Sequence, residues 1–198
     1  MRLEALEEWL AAEPVFREAA SFVCRERAEA YLVGGTVRDL LVGRASYDLD
    51  LTVAGDAMGL ARRLADVVGG AYVPLDAERD VARVVVARPA SRRAGAQRVI
   101  DLASLRADTI EDDLRARDYT VNAMAIPLGS PEHGLLDPTG GREDLEAGRL
   151  RATHAGVFED DPVRLLRGVR LRQALGLTVT PETERLMRRW APSLRRMS

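Results

Sequence analysis

Residues 48–53, Asp-Leu-Asp-Leu-Thr-Val, alternate charged and apolar side chains with a period of two. A strand is the conformation that gives such a period a use, because successive side chains leave it on opposite faces. Leu49, Leu51 and Val53 then enter a core, while Asp48 and Asp50 stand side by side on the other face. Adjacent carboxylates repel and add nothing to folding. One reading is an edge strand whose solvated aspartates discourage aggregation. The other is a binding strand at which divalent cations make the pair favourable, since hard oxygen ligands suit magnesium.

The residues just before the pair bear on that choice. A β-rich run ends at Val33, Gly34 and Gly35 follow, and Thr36 to Leu41 has helical character. Glycines let backbone N–H groups approach an anion, and a helix N-terminus adds unpaired donors and a favourable dipole. Arg38, in the first turn, contributes a fork suited to phosphate. By itself a Gly-Gly turn also reads as a tight strand-to-helix connection. Beside the paired aspartates it points to a nucleotide polymerase-type site.

The rest of the chain frames this site. Residues 1 to 30 read as two helical pieces, with Leu3, Leu6, Leu10, Phe16, Ala19 and Val23 at helical spacing. β-rich runs follow at 31–33, 47–53, 72–75, 81–87 and 98–102, punctuated by Gly69-Gly70 and a loop at Pro89–Gly95. Met58 to Val68 reads as a helix between the second and third runs. After residue 108 helices return, opening at Asp161-Pro162 and at Pro181-Glu182. The expected fold class is α+β. A mixed-sheet domain over 31–150 follows the helical segment 1–30, and helices fill 151–198. Nothing at Ser198 resembles a natural terminus, so a fragment is expected.

Composition excludes several classes. No apolar run approaches bilayer length, and the N-terminus reads as an amphipathic helix rather than a signal peptide. One cysteine, Cys24, rules out an intramolecular disulfide, and two histidines make a Cys/His zinc cluster improbable. The cytoplasm is therefore the expected compartment. The net charge of −2 does not announce a nucleic-acid binder, although all positive charge is arginine, the better fork for phosphates and base edges. Cys24 reads as a small packed residue and Trp9 and Trp190 as partial core anchors, and His133 and His154 need no catalytic role.

The segment GGTVRDLLVGRASYDLDLTV resembles the signature of the class II CCA-adding enzymes and bacterial poly(A) polymerases, in the DNA polymerase β-like nucleotidyltransferase superfamily. RARDYTVNAMA (115–125), LLDPTGGREDLEAGRLRA (135–152) and FEDDPVRLLRGVRLRQALG (158–176) resemble the second, third and fourth motifs of that family, in order. The resemblance covers roughly 30–180. It implies a five-stranded head followed by a helical neck, truncated here. It also implies an enzyme adding CMP or AMP from CTP or ATP to an RNA 3′ end, with tRNA the expected RNA.

By resemblance, Asp48 and Asp50 hold two magnesium ions, which in such sites clamp the attacking and leaving oxygens of an in-line displacement. Asp101, in the run RVIDLA, is a candidate third carboxylate or a surface aspartate at a strand end. Gly34 and Gly35 with Arg38 and Arg117 match the triphosphate contacts. Ala116 stands where the family commonly has another arginine. Asp161 and Arg164 match the base-selecting pair. A carboxylate beside an arginine suits the amino donor and ring-nitrogen acceptor that C and A share, and rejects G and U. Asp161 before Pro162 is equally a good N-cap. Arg167 and Arg170 continue the stripe toward sugar, phosphates or neighbouring chain, or are ordinary solvated charges. Asp160 replaces a more usual glutamate.

The stretch Ser104 to Asp112 is short where many relatives carry a longer loop associated with switching from C to A, as in enzymes that add only CC. Poly(A) addition, or a non-catalytic nucleotide- or RNA-binding relative, are the alternatives. A dinucleotide-binding Rossmann domain fails for want of a third spaced glycine. Family members grip tRNA with later helical regions, so this chain is expected to bind CTP or ATP with magnesium but to transfer poorly. The oligomeric state is left open.

Overall fold

The computed structural model describes residues 3–26, 28–44, 46–87 and 97–196, and the loop expected at Pro89–Gly95 lies outside them. Two compact units emerge, one of residues 1–106 with 125–135, the other of 107–124 with 136–198.

The first unit opens with α1 (Leu3–Ala12) and α2 (Pro14–Arg25). Trp9 and Phe16 pack ring to ring at 5.2 Å, and Phe16, Ala19 and Val23 are fully buried. Cys24 does not pack as expected. It lies on the exposed side of α2, one residue past the buried Phe22-Val23 pair, because the helix turns that position away from the core. The chain continues through β1 (Ala30–Val33), α3 (Gly34–Leu41), β2 (Asp48–Val53), α4 (Ala57–Val68), β3 (Ala71–Asp76), β4 (Val81–Val86) and β5 (Arg98–Ser104). These are the five expected strands. A sixth, β6 (Ala125–Pro127), pairs antiparallel with β1 and completes the order β3-β4-β5-β2-β1-β6. Three buried-to-half-buried residues show no alternation, so β6 carried no sequence signal of its own.

All neighbouring strands are antiparallel except β2 and β5, which run parallel with Asp50 opposite Asp101. Leu49, Leu51, Ile100, Leu102 and Val84 fill the core face beneath α4, whose Leu60 and Leu64 are buried. α2 packs on α4 in turn, which makes residues 1–30 part of this unit rather than a separate segment.

In the second unit, α5 (Ile110–Arg115), a 3-10 turn at Thr120–Asn122, α6 (Gly141–Glu146), β7 (Arg149–Leu150), α7 (Val157–Asp160), α8 (Val163–Leu175), β8 (Thr178–Val179) and α9 (Pro181–Trp190) surround a core of Tyr119, Val121, Leu150, Phe158, Leu165 and Leu171. The expected boundary near 150 differs from this division. Tyr119 bridges to Ala152, Thr120 N–H bonds Arg151 O, and β7 pairs with β8, so residues before and after 150 share one core.

Candidate active site

β2 arranges the acidic pair as its period demands. Leu49, Leu51 and Val53 are at most 2% exposed, Asp48 is exposed and Asp50 half-buried. Two hydroxyls lock the strand's backbone here. Thr36, buried on α3, donates to Asp48 O at 3.1 Å and accepts from Asp50 N–H at 3.0 Å. Ser46 donates to Asp48 O at 2.7 Å. Helix and strand are thereby stitched together at the residues that carry the charges.

α3 brings the two glycines to the same place. Gly34 has φ +64° at the sharp strand-to-helix junction. A Cβ on Gly35 would lie 3.3 Å from Asp50 Oδ2 and 3.5 Å from an Arg38 Nη, so the bare Cα is what lets carboxylate and guanidinium close in. Arg38 also pairs with Asp39 at 2.8 Å.

Across the sheet, Asp101 lies beside Asp50, and Arg83 lies beside Asp101. Arg83 forks Asp101 with Nε to Oδ1 at 2.7 Å and Nη2 to Oδ2 at 2.9 Å. Partial burial and then the charge of Asp101 push the Asp48 carboxyl above its ordinary value, while Arg83 and Arg98 pull the other way. Arg98 is itself anchored by a two-bond pair to Glu13 on the α1–α2 connection, at 2.6 and 2.8 Å. Hard carboxylate oxygens placed two residues apart on one face of β2, with room over Gly35 beside Asp50, fit a divalent cation held by Asp48 and Asp50.

The second unit holds the remaining expected residues. Arg117 is anchored on the buried Asp113 through Nε and Nη2, at 3.1 and 2.9 Å. Asp161 Oδ1 accepts from Val163 N–H at 2.9 Å, so the carboxylate bonds the first backbone donor of α8, although Pro162 rather than Asp161 occupies the capping position. Arg164 is half-buried and reaches Val157 O at 3.3 Å. Arg167 Nε lies 3.2 Å from Asp118 Oδ2, near enough for charge attraction but not aligned for a hydrogen bond, since that buried oxygen has no hydrogen-bond partner among the described residues. Arg170 is exposed.

Beneath this row, Tyr119 donates to Arg164 O at 3.0 Å. Burial, then the charge of Asp118, raise its pKa, which keeps it a donor. Tyr119 fits against α8 only because residue 168 is glycine, where a Cβ would fall 1.9 Å from the phenol oxygen. Thr36, Ser46, Arg83, Asp118 and Tyr119 were not among the expected site residues. Of these, Asp118 had a sequence signal, its place beside Arg117.

Residues 30–151 match the family described as the poly A polymerase head domain. The chain is 41% identical to a CC-adding tRNA nucleotidyltransferase of Geobacter sulfurreducens, over 83% of this chain and 36% of that protein. It is 37% identical to an A-adding tRNA nucleotidyltransferase of Halalkalibacterium halodurans, over 91% of this chain and 44% of that one. It therefore spans about two fifths of the length of these relatives. Among solved structures, a CCA-adding enzyme in complex with CTP superposes with a TM-score of 0.78 at 33% identity, covering 98% of this chain and 47% of that chain.

Proposed function

This chain belongs to the poly A polymerase head-domain family, and we propose that it is the nucleotide-transferring part of a tRNA 3′-end nucleotidyltransferase, using CTP or ATP with magnesium in the cytoplasm. The observation that carries this reading is the Asp48–Asp50 pair, clamped by Thr36 and closed on by Arg38 across Gly35. The RNA 3′-hydroxyl oxygen would bond to the α-phosphorus of the triphosphate as the bond to pyrophosphate breaks. Asp48 and Asp50 would hold the magnesium, which when bound would acidify the hydroxyl and neutralise charge at the phosphates.

Arg38 and Arg117 bind the triphosphate, and their anchors, Asp39 and Asp113, hold the forks in place. Asp161 and Arg164 read the base edge, with Asp161 keeping one oxygen on the Val163 N–H. Arg167 and Arg170 face the sugar–phosphate side. Asp101 lines the acidic row. Five residues separate β5 from α5, and this short connection favours addition of C over A.

The test offers the chain tRNA ending before CCA, each labelled triphosphate singly, and magnesium, and follows both triphosphate binding and transfer. Binding of CTP and ATP above GTP and UTP, with slow transfer of C, is expected. Asp48→Ala with Asp50→Ala should abolish transfer. Arg164→Ala should erode base selectivity by about 10²-fold or more. Equal binding of all four triphosphates overturns base selection by Asp161 and Arg164, and undiminished transfer by the double variant overturns the metal assignment.

A further inference from the structure

We infer that Tyr119 is a positioning residue for base selection: its hydroxyl, seated in the notch left by Gly168, sets where the first turn of α8 holds Arg164 and Asp161. This rests on the base-selecting reading of those two residues. The phenol oxygen donates to Arg164 O at 3.0 Å, so the bond falls on the backbone of the arginine itself. Arg164 N–H in turn bonds Asp161 O at 3.2 Å, and Asp161 Oδ1 accepts from Val163 N–H at 2.9 Å. One side chain from the core thereby ties both members of the pair through the main chain.

Little else seats this helix. Its buried residues are Leu165, Gly168 and Leu171, whereas Val163, Leu166 and Val169 are exposed. Glycine in the middle of that buried face weakens a helix, because it adds backbone freedom and no apolar contact. Its use here is space, since a Cβ would overlap the phenol oxygen and Cζ of Tyr119. Arg164 and Gly168 stand one turn apart on the side of α8 that Tyr119 touches, so bond and notch together fix both the height of the helix over the core and its rotation. Tyr119 can serve as the fixed point. It is fully buried, its N–H bonds Asp118 Oδ1 at 2.8 Å, it bridges to Ala152, and its ring lies 6.1 Å from that of Phe158. Val157, beside Phe158 on α7, takes Arg164 Nη1 on its carbonyl at 3.3 Å, so backbone and side chain of the arginine are held from one cluster. Fixed donors and acceptors discriminate between base edges only while they stay in register with them, whereas contacts to the triphosphate are common to all four nucleotides.

A double-mutant cycle on the full chain tests this, reading affinities for CTP and UTP with magnesium and the melting temperature of each variant. Tyr119→Phe removes the bond to Arg164 O and leaves a gap under Gly168, and should lower the CTP-to-UTP affinity ratio by about fivefold. Gly168→Ala should lower the ratio by about tenfold, because the added methyl pushes α8 off the phenol. Combining the two lets that methyl occupy the space the hydroxyl vacates, and should restore the ratio to within about twofold of the parent. A role in folding alone would shift melting temperatures and weaken both triphosphates alike, and a constant ratio of that kind overturns the inference. So do parent ratios in the folded single variants, and so does a loss that the double variant fails to restore. If Gly168→Ala fails to fold, the contrast between Tyr119→Phe and the double variant decides. A ratio insensitive to Arg164→Ala overturns the base-selecting reading and the inference with it, whereas sensitivity to Arg164→Ala with indifference to the cycle overturns the inference alone.

Discussion

At Gly34 the backbone sits at φ +64°, a conformation that costs an L-residue about 1–2 kcal/mol. At Gly35 the backbone is ordinary and what is missing is room, because a Cβ would press on Asp50 Oδ2 at 3.3 Å. The two positions therefore separate stability from function. Gly35→Ala gains helix propensity of up to about 1 kcal/mol and should leave the melting temperature equal or slightly higher. Moving Asp50 and Arg38 by a few tenths of an ångström should nevertheless cut magnesium-dependent transfer by about tenfold or more. Parallel melts and rate measurements check this, and a stable, fully active variant would show that the tight fit has no catalytic consequence. The Asp-Leu-Asp alternation and the double glycine were readable in the sequence because each has a local conformational requirement. Thr36 and Ser46 were not, since a small hydroxyl residue looks the same whether it faces solvent or bonds another strand. Arg83 and Asp101 are 18 residues apart in the chain and only sheet pairing makes them neighbours.

Helix α4 shows the same limit one level up. Its apolar spacing announced it, and Asp56 caps it locally by accepting from Gly59 N–H. A second cap comes from outside. Asp80, between β3 and β4 at φ 50°, accepts from Ala57 N–H at 2.8 Å and Met58 N–H at 2.9 Å, and Ser104 Oγ bonds it as well. Burial would raise the Asp80 carboxyl, but the bonds from Ser104, Ala57 and Met58 prevail and hold it below its ordinary value. A carboxyl lowered in the folded state contributes stability that is present above the unfolded pKa and is lost as pH falls through the folded one. Asp80→Asn tolerates the same left-handed backbone. It should cost about 0.5–2 kcal/mol at neutral pH, with the difference from the parent shrinking below about pH 4. Denaturant titrations at two pH values measure it, and a penalty independent of pH would remove charge from the explanation. The strands read in sequence were those with several alternating or β-branched residues, whereas β6 exists because β1 offers an edge, and Gly168 matters because Tyr119 lies beneath it.

Over the whole molecule, a net charge of −2 conceals a strong asymmetry. From Pro162 to Ser198 there are nine arginines against two glutamates, so the segment containing α8 and α9 is markedly basic and the remainder acidic. Arg185, Arg188 and Arg189 are exposed on α9, although Arg188 shares its charge with Glu184 at 2.7 Å and Arg189 lies over the Trp190 ring. An RNA substrate would meet this segment through its phosphates, and each phosphate neutralised releases condensed counterions. The logarithm of the RNA association constant should therefore fall linearly with the logarithm of salt concentration. Replacing Arg185 and Arg189 by glutamine should reduce the steepness by roughly one unit per residue and weaken binding about equally for RNAs of different sequence. Arg188→Gln should change the slope less, because its charge is already compensated across one helical turn. Triphosphate affinity should stay at the parent value in all three variants, since none of these residues belongs to the proposed nucleotide site. An unchanged slope in the Arg185 and Arg189 variant would place the RNA on another surface of the protein, and a matching loss of triphosphate affinity would mean that α9 serves the nucleotide rather than the RNA.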